Sequence, residues 1–391
     1  MSKRQVIVVG AGPSGSIAAY YLAKAGADVL MMDRETFPRD KPCGDVQFGS
    51  IFPVYKDMGI FDEVTAVANP GRGLTFFDKN SNRCDLYTKD VEEYIIPRRI
   101  IDNITCRAAV KAGAELWEDC DARELIVKKN AVKGVRAVFR GKPVEVYADI
   151  VVIAQGSHSM LARQVGIFKE DPDLIHYGAR CYYENIGELK KDHIEAHYIK
   201  ELAPNGYIWL CPTGEGRANV GVFANEATLR REGRKIEDYI DFWVENYETG
   251  RARLGNARQI GKLQGWRIPT SKKIEKNYVA GAVVVGDSSN NVESWQGEGY
   301  VQAATCGAVA GHFLPSVLEK GDFSEEALAP FQKLCEEQLG DFMAQSAALR
   351  KYLFTDPDTI VKAFDMFRAL PEYPNLSLFD AFEKYLTQAM K

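Results

Sequence analysis

The segment Gly10-x-Gly12-x-x-Gly15 follows the apolar run Val6–Val9 and opens an Ala-rich stretch reaching about Lys24. A strand that breaks into these glycines and resumes as a helix leaves little choice of fold. The spacing predicts a βαβ unit of Rossmann type that binds a dinucleotide. Each position has a physical reason. Gly10 makes the tight turn, Gly12 lets the backbone approach a pyrophosphate, and Gly15 allows close contact between helix and strand. Pro13 and Ser14 fall in the first helical turn, where free N–H groups face an anion. Val29–Met32 reads as the second strand, ending at Asp33, whose carboxylate accepts hydrogen bonds from a ribose. Arg34 follows and joins the same candidate set.

Composition narrows the class further. The 391 residues are 46% hydrophobic and 26% charged, which describes compact globular units, two to three by length. A net charge of −5 supplies no basic field for nucleic acid, so no nucleic-acid partner is expected. The eight cysteines contain no C-x-x-C pair, and most are expected as buried thiols. His193 and His197 lie in an alternating stretch, about 13 Å apart along a strand, too far to share an ion. No metal site is expected. The longest apolar runs, Val6–Val9 and Ala282–Val285, fall well short of the roughly 18 residues needed to cross a bilayer. With no secretory signal visible, the expected location is cytoplasmic, with peripheral membrane contact as an open addition.

Along the chain, short strands are expected between Gly73 and Ile96, a helix from Arg98 to Gly113, and an antiparallel meander from Arg123 to Arg140. A separate apolar strand, Ile150–Ala154, follows. Residues 176–268 form an aromatic, strand-rich block with one helix, Ile236–Tyr247. Rossmann character returns at Ala282–Gly286, and after about Leu318 the pattern is helical. The fold class is therefore α/β: a discontinuous dinucleotide domain (1–72, 98–175 and 275–317) interleaved with an antiparallel-sheet substrate domain (73–97 and 176–274). A C-terminal helical region (318–391) completes the chain, its apolar spacing suited to packing more than to membrane contact.

The glycine fingerprint alone does not separate FAD from a nicotinamide dinucleotide. A second apolar strand, Val283–Val285, ends in Gly286-Asp287, where a carboxylate can accept from ribitol hydroxyls. A helix starting near Gly297-Glu298-Gly299 aims its positive end at whatever it faces, and a reduced flavin needs such help at N1 and C2=O. These features favour FAD.

The three segments resemble the hydroxylase-like FAD superfamily, and within it the geranylgeranyl reductase family. The run Pro204-Asn-Gly-Tyr207-Ile-Trp209-Leu-Cys211-Pro212, followed by Arg217-Ala-Asn219-Val220-Gly221, is similar to that family's signature, with Cys211 where phenylalanine is usual. Arg39-Asp-Lys41-Pro42-Cys43-Gly44 is similar to its segment passing close to the isoalloxazine, with Asp45 where a further glycine is common. Pro97-Arg98-Arg99-Ile-Ile-Asp102 resembles its arginine helix start, which places Arg98 near the flavin. Ile153–Ser159 resembles the superfamily's A-D-G-x-x-S segment, with Gln155 replacing the aspartate. The resemblance covers residues 4–312. It implies bound FAD, held by Cys43, Gly44 and Arg98 beside the residues above.

What it implies chemically is reduction of carbon–carbon double bonds in an isoprenoid or similarly apolar substrate. An isolated alkene does not accept hydride unaided, so a proton must reach the other carbon from a side chain or water. Tyr207 and Trp209 alternate on one strand and wall a channel over the flavin, with core packing as the competing role. Cys43, by the resemblance, shuttles a proton or shapes the pocket, an inert thiol being the alternative. Cys43, Tyr207 and Trp209 form the candidate catalytic set. Tyr177, Tyr182, Tyr183, Tyr198 and Phe223 are expected to enrich the apolar cavity. With no second fingerprint, NADPH or reduced ferredoxin would visit transiently as electron donor. The alternatives are a flavin monooxygenase or halogenase of the same fold, and a non-catalytic flavin- or quinone-binding module.

Overall fold

The computed structural model describes residues 3–203, 205–353, 356–378, 380–382 and 384. Pro204, named above, lies outside them. The first sheet carries the fingerprint. Its strands run in the order Tyr278–Val279, Ala282–Val284, Lys142–Ile153, Arg4–Val9, Val29–Met32 and Glu115–Trp117. All pairings along this path are parallel except that of Tyr278–Val279. Val6, Ile7 and Val8 are fully buried because helices cover one face and a β-hairpin with a short helix covers the other.

The meander departs from expectation at its third strand. Lys142–Ile153 is continuous over 12 residues. Its first half pairs antiparallel with Ala131–Phe139, and its second half pairs parallel with Arg4–Val9. The exposed, alternating start and the fully buried end explain why periodicity suggested two strands.

The second sheet has seven strands, ordered Arg258–Pro269, Ile175–Glu184, Arg217–Asn225, Gly206–Gly214, His193–His197, Gly73–Phe77 and Arg83–Tyr87. One face buries Ile208, Leu210 and Val220 against Tyr239 and Trp243 of the helix Tyr239–Asn246. A further helix, Glu248–Leu254, follows where none was expected. A small third sheet joins Val46–Phe48, Glu93–Ile95 and Asn69–Gly71. It ties a segment of the first expected domain to one of the second.

The long helix Tyr300–Lys320 is apolar and long enough to cross a bilayer, but more than half of its apolar window is buried inside the protein. It lies against Pro13–Lys24 so closely that a Cβ on Gly307 would overlap the Ser14 carbonyl. Pro330–Leu353 covers it from outside through Phe331, Leu339 and Met343. Farther on, Leu349, Leu353, Phe364, Phe367 and Leu378 close over Phe76 and Tyr198 of the second sheet.

Candidate active site

A cavity of about 800 Å³ runs between the two large sheets. At one end Gly10, Gly12, Pro13, Ser14, Asp33 and Arg34 line it, and at the other Cys43, Gly44, Tyr207 and Trp209. Arg98, Asp287, Gly297 and Gly299 stand on the wall between. Two named glycines do not reach it. A Cβ on Gly15 would overlap the Gly10 carbonyl oxygen, so Gly15 is a packing residue of the turn. Gly286, at φ 64, sits where a Cβ would meet Ser14 and Ala303 at 3.0 Å, behind the wall.

The fingerprint turn is built to receive a ligand. Gly12 caps the helix Pro13–Lys24 without a capping side chain, leaving the first-turn N–H groups free of intrahelical partners. A Cβ at Gly12 would meet only Arg39 Nη2, at 3.6 Å, so the space above this residue is open, unlike that at Gly15. Asp33 is pinned by Ala11 N–H donating to Oδ2 at 2.7 Å and Glu35 N–H to Oδ1 at 2.9 Å. Arg34 is mostly exposed, its Nε 3.4 Å from Glu35.

Arg98 opens the helix Arg98–Lys111 and grips Asp102 one turn later. Arg39 Nη1 donates to the same Asp102 carboxylate at 2.6 Å. Burial pushes the Asp102 carboxyl up, but Arg98 and Arg39 outweigh it and hold the group below the ordinary carboxylate range. The pair thereby presents two fixed guanidinium groups to the cavity wall.

On the opposite side, Tyr207 and Trp209 face the cavity while Ile208 and Leu210 are fully buried on the other face of the strand. The Tyr207 hydroxyl donates to the Gln296 carbonyl at 2.8 Å, and burial holds its pKa well above the usual value. Tyr207 is thus a wall with its proton committed. Trp209 Nε1 donates to Asn219 Oδ1 at 2.9 Å. A Cβ on Gly221 would overlap the indole, so this glycine makes room for the ring. Tyr198 and Phe223 join the cavity lining, whereas Tyr177, Tyr182 and Tyr183 do not. The strand Ile175–Glu184 shows the cavity Gly178 and Arg180, and turns Tyr177 and Tyr183 to the opposite core.

Several lining groups carry no signal in spacing. Glu298 is pushed up to about 7 by burial and by the Glu293 carboxylate, against the Val301 N–H it accepts at 2.9 Å. Lys41 is pushed down to about 8 by desolvation, its Nζ 4.4 Å from the centre of the Trp266 ring. Asp45 is buried beside Cys43 and Gly44 in a left-handed conformation at φ 67. Gln155 lines the cavity with its side-chain amide tied to the protein, donating to Ala122 O and accepting from Leu161 N–H. His193 bonds Asp192 and His197 bonds Glu195, and no metal-binding cluster exists among the described residues.

The donor set fits FAD. An open glycine cradle with a pinned carboxylate lies at one end, and Asp287 stands beside Gly299 before the helix Tyr300–Lys320 toward the other. The comparisons agree. The FAD binding domain family model matches residues 3–322. A digeranylgeranylglycerophospholipid reductase of Methanopyrus kandleri is 30% identical, over 86% of this chain and 87% of its own length. Its counterpart in Methanocaldococcus jannaschii is 29% identical, over 89% of this chain and 86% of its own. Among solved structures, a geranylgeranyl bacteriochlorophyll reductase-like protein from Thermoplasma acidophilum superposes with a TM-score of 0.87 at 24% identity, covering 98% of this chain and 96% of that one. The myxobacterial chondrochloren halogenase has the same fold, with a TM-score of 0.78 at 19% identity over 96% of this chain and 91% of its own. The chain is an FAD-binding oxidoreductase and belongs to the geranylgeranyl reductase family.

Proposed function

We propose that the protein reduces carbon–carbon double bonds in an isoprenoid lipid, with a prenylated glycerophospholipid as the substrate class suggested by its relatives. One observation carries this reading. The apolar walls formed by Leu74, Phe76, Ile194, Tyr198, Phe223 and Leu378 belong to the same cavity as the fingerprint turn, so a greasy chain and a flavin share one enclosed space. Bound FAD, in its reduced form, supplies hydride. The chain's own residues do the remainder. Gly12, Asp33, Arg39 and Arg98 bind and orient the cofactor, and Gly297–Tyr300 directs the positive end of a helix toward it. The aromatic wall excludes water and offers ring faces to developing positive charge. Glu298, whose carboxyl is raised to about 7, holds a proton at the cavity wall, and Cys43, which lines the same cavity, passes one on.

Electrons come from a transient donor, NADPH or reduced ferredoxin. The test is anaerobic. The photoreduced yellow protein is mixed with candidate prenyl lipids, and flavin reoxidation is followed together with product mass. Substrate gaining 2 Da per flavin reoxidised supports the reading; reoxidation only on admission of dioxygen refutes it and favours the monooxygenase or halogenase chemistry of the shared fold.

A further inference from the structure

Cys43 and Trp209 are far apart in sequence, yet one side chain holds both. Asn219 is fully buried on the strand Arg217–Asn225. Its Nδ2 donates to the Cys43 carbonyl at 2.7 Å and to Asp45 Oδ2 at 2.8 Å, while its Oδ1 accepts from Trp209 Nε1 at 2.9 Å. Both amide donors and its acceptor are therefore used, and the side chain has no freedom to turn. A Cβ on Gly44 would lie 3.9 Å from Trp209 Nε1, so the loop that Asn219 holds is the one facing the indole.

Asp45 completes the arrangement. Besides Asn219, its Oδ2 accepts from the Tyr182 hydroxyl at 2.5 Å, and its Oδ1 accepts from Arg98 N–H at 3.1 Å. A fully buried carboxylate in left-handed backbone is a costly way to close a turn, since glycine adopts φ 67 freely. A purely structural loop would not need the charge. We propose that Asn219 and Asp45 are a positioning pair that fixes the Cys43 main chain and the Trp209 ring relative to each other, and that turnover depends on Asp45 being ionised. The proposal rests on Cys43 and Trp209 standing at the reacting end of the cavity.

The electrostatics agree with that geometry. Burial raises the Asp45 carboxyl to about 6, against the opposing hydrogen bonds of Tyr182 and Asn219 and the Arg180 charge. The other titratable and charged groups facing this region are the Cys43 and Cys211 thiols, the Glu93 carboxyl beside Cys211 and the Arg98 guanidinium beside Cys43. A proton on Oδ2 can turn to the Tyr182 oxygen, but it leaves the Asn219 donor facing a neutral and weaker acceptor. Protonation therefore loosens the bond that holds the loop to Trp209.

The test compares the flavin-loaded wild type with Asp45→Asn and Asn219→Asp from pH 5 to 8. Wild-type turnover should fall about tenfold as pH drops through 6, whereas Asp45→Asn should be flat from pH 5 to 7, near the wild-type acid level. Asn219→Asp, which sets a like charge against Asp45, should lose at least about tenfold in kcat at pH 7 with flavin content kept and the visible flavin band shifted. Independently of substrate, the melting temperature of wild type minus that of Asp45→Asn should move in favour of wild type between pH 7 and 5, because only the aspartate takes up a proton there. An unchanged acid limb in Asp45→Asn, full turnover in Asn219→Asp, loss of activity only in proportion to lost flavin, or no shift in the melting difference would each overturn the proposal. If the wild type reduces no prenyl lipid, the functional reading fails, while the flavin band and melting difference still decide the fate of the pair.

Discussion

Arg98 and Asp102, one helical turn apart, close a two-pronged ion pair: Nε to Oδ1 and Nη2 to Oδ2, both at 2.7 Å. Asp102 is fully buried, and Arg39 approaches it from another segment. The carboxylate therefore serves as a common anchor for two cations of the cavity wall.

Replacing Asp102 by Asn strands the buried Arg98 guanidinium and the half-buried one of Arg39, which should cost about 3–5 kcal/mol of stability. Because the folded carboxyl is held below its ordinary value, its contribution is complete at neutral pH and is lost only as pH falls below about 4. Denaturant unfolding of wild type and Asp102→Asn at pH 7 and pH 3 checks this. The gap between them should narrow in acid, and FAD affinity of the variant should be weaker throughout.

The two fingerprint glycines should fail differently. Gly15→Ala puts a methyl group into the Gly10 carbonyl, so the apoprotein itself should melt several degrees lower or express poorly. At Gly12 a Cβ meets only the flexible end of Arg39, so Gly12→Val should leave the apoprotein's melting temperature within a degree or two of wild type. Its bulk occupies the phosphate approach, so the purified variant should be colourless. Melting curves of both apoproteins, with the absorbance at the flavin band, separate the cases.

Trp209→Ala should keep FAD and lose turnover by about two orders of magnitude, the scale expected when a positioning wall is removed. Trp209→Phe restores an aromatic face but leaves Asn219 Oδ1 without its donor, at a cost of about 1–3 kcal/mol. Gly221→Ala should resemble Trp209→Ala in turnover, because the added methyl displaces the indole. Stopped-flow reoxidation alongside flavin quantification measures each. Equal loss of flavin and turnover would count against the channel role of Trp209.

Glu298 should set the alkaline side of the pH profile. With its carboxyl raised to about 7, the protonated form is favoured in the folded state, so the group's contribution to stability is present in acid and fades as pH rises through 7. Glu298→Gln should be less dependent on pH in its melting temperature between 5 and 8. If Glu298 supplies the proton, wild-type kcat should decline above about pH 7 and the variant should be slow and flat. A wild-type decline that persists unchanged in Glu298→Gln would assign it to another group.

The second sheet shows where sequence periodicity runs out. Alternation placed Tyr207 and Trp209 on one face, and the structure puts that face on the cavity. Aromatic enrichment of the same block also points to Tyr177 and Tyr183, which the structure turns to the opposite face, because composition does not say which side of a strand a residue takes. Lys142–Ile153 looked like two strands since its environment, and not its backbone, changes midway. Asn219 stands in the signature run, but its role is not legible there, as its partners come from residues 43, 45 and 209.

The dinucleotide turn was readable from the chain because its constraints are local. Gly10, Gly12 and Gly15 answer to backbone angles and to neighbours within a few residues or on the adjoining strand, and such requirements leave a fixed spacing. The reacting end of the cavity depends on contacts between distant segments, Cys43 with Asn219 across 176 positions and Tyr207 with Gln296 across 89. Nothing in the spacing of those residues encodes their meeting, since it is the tertiary arrangement of the two large sheets around one cavity that brings them together. Buried charges such as Asp45 and Glu298 acquire their proton affinities only there, from desolvation that no linear pattern records.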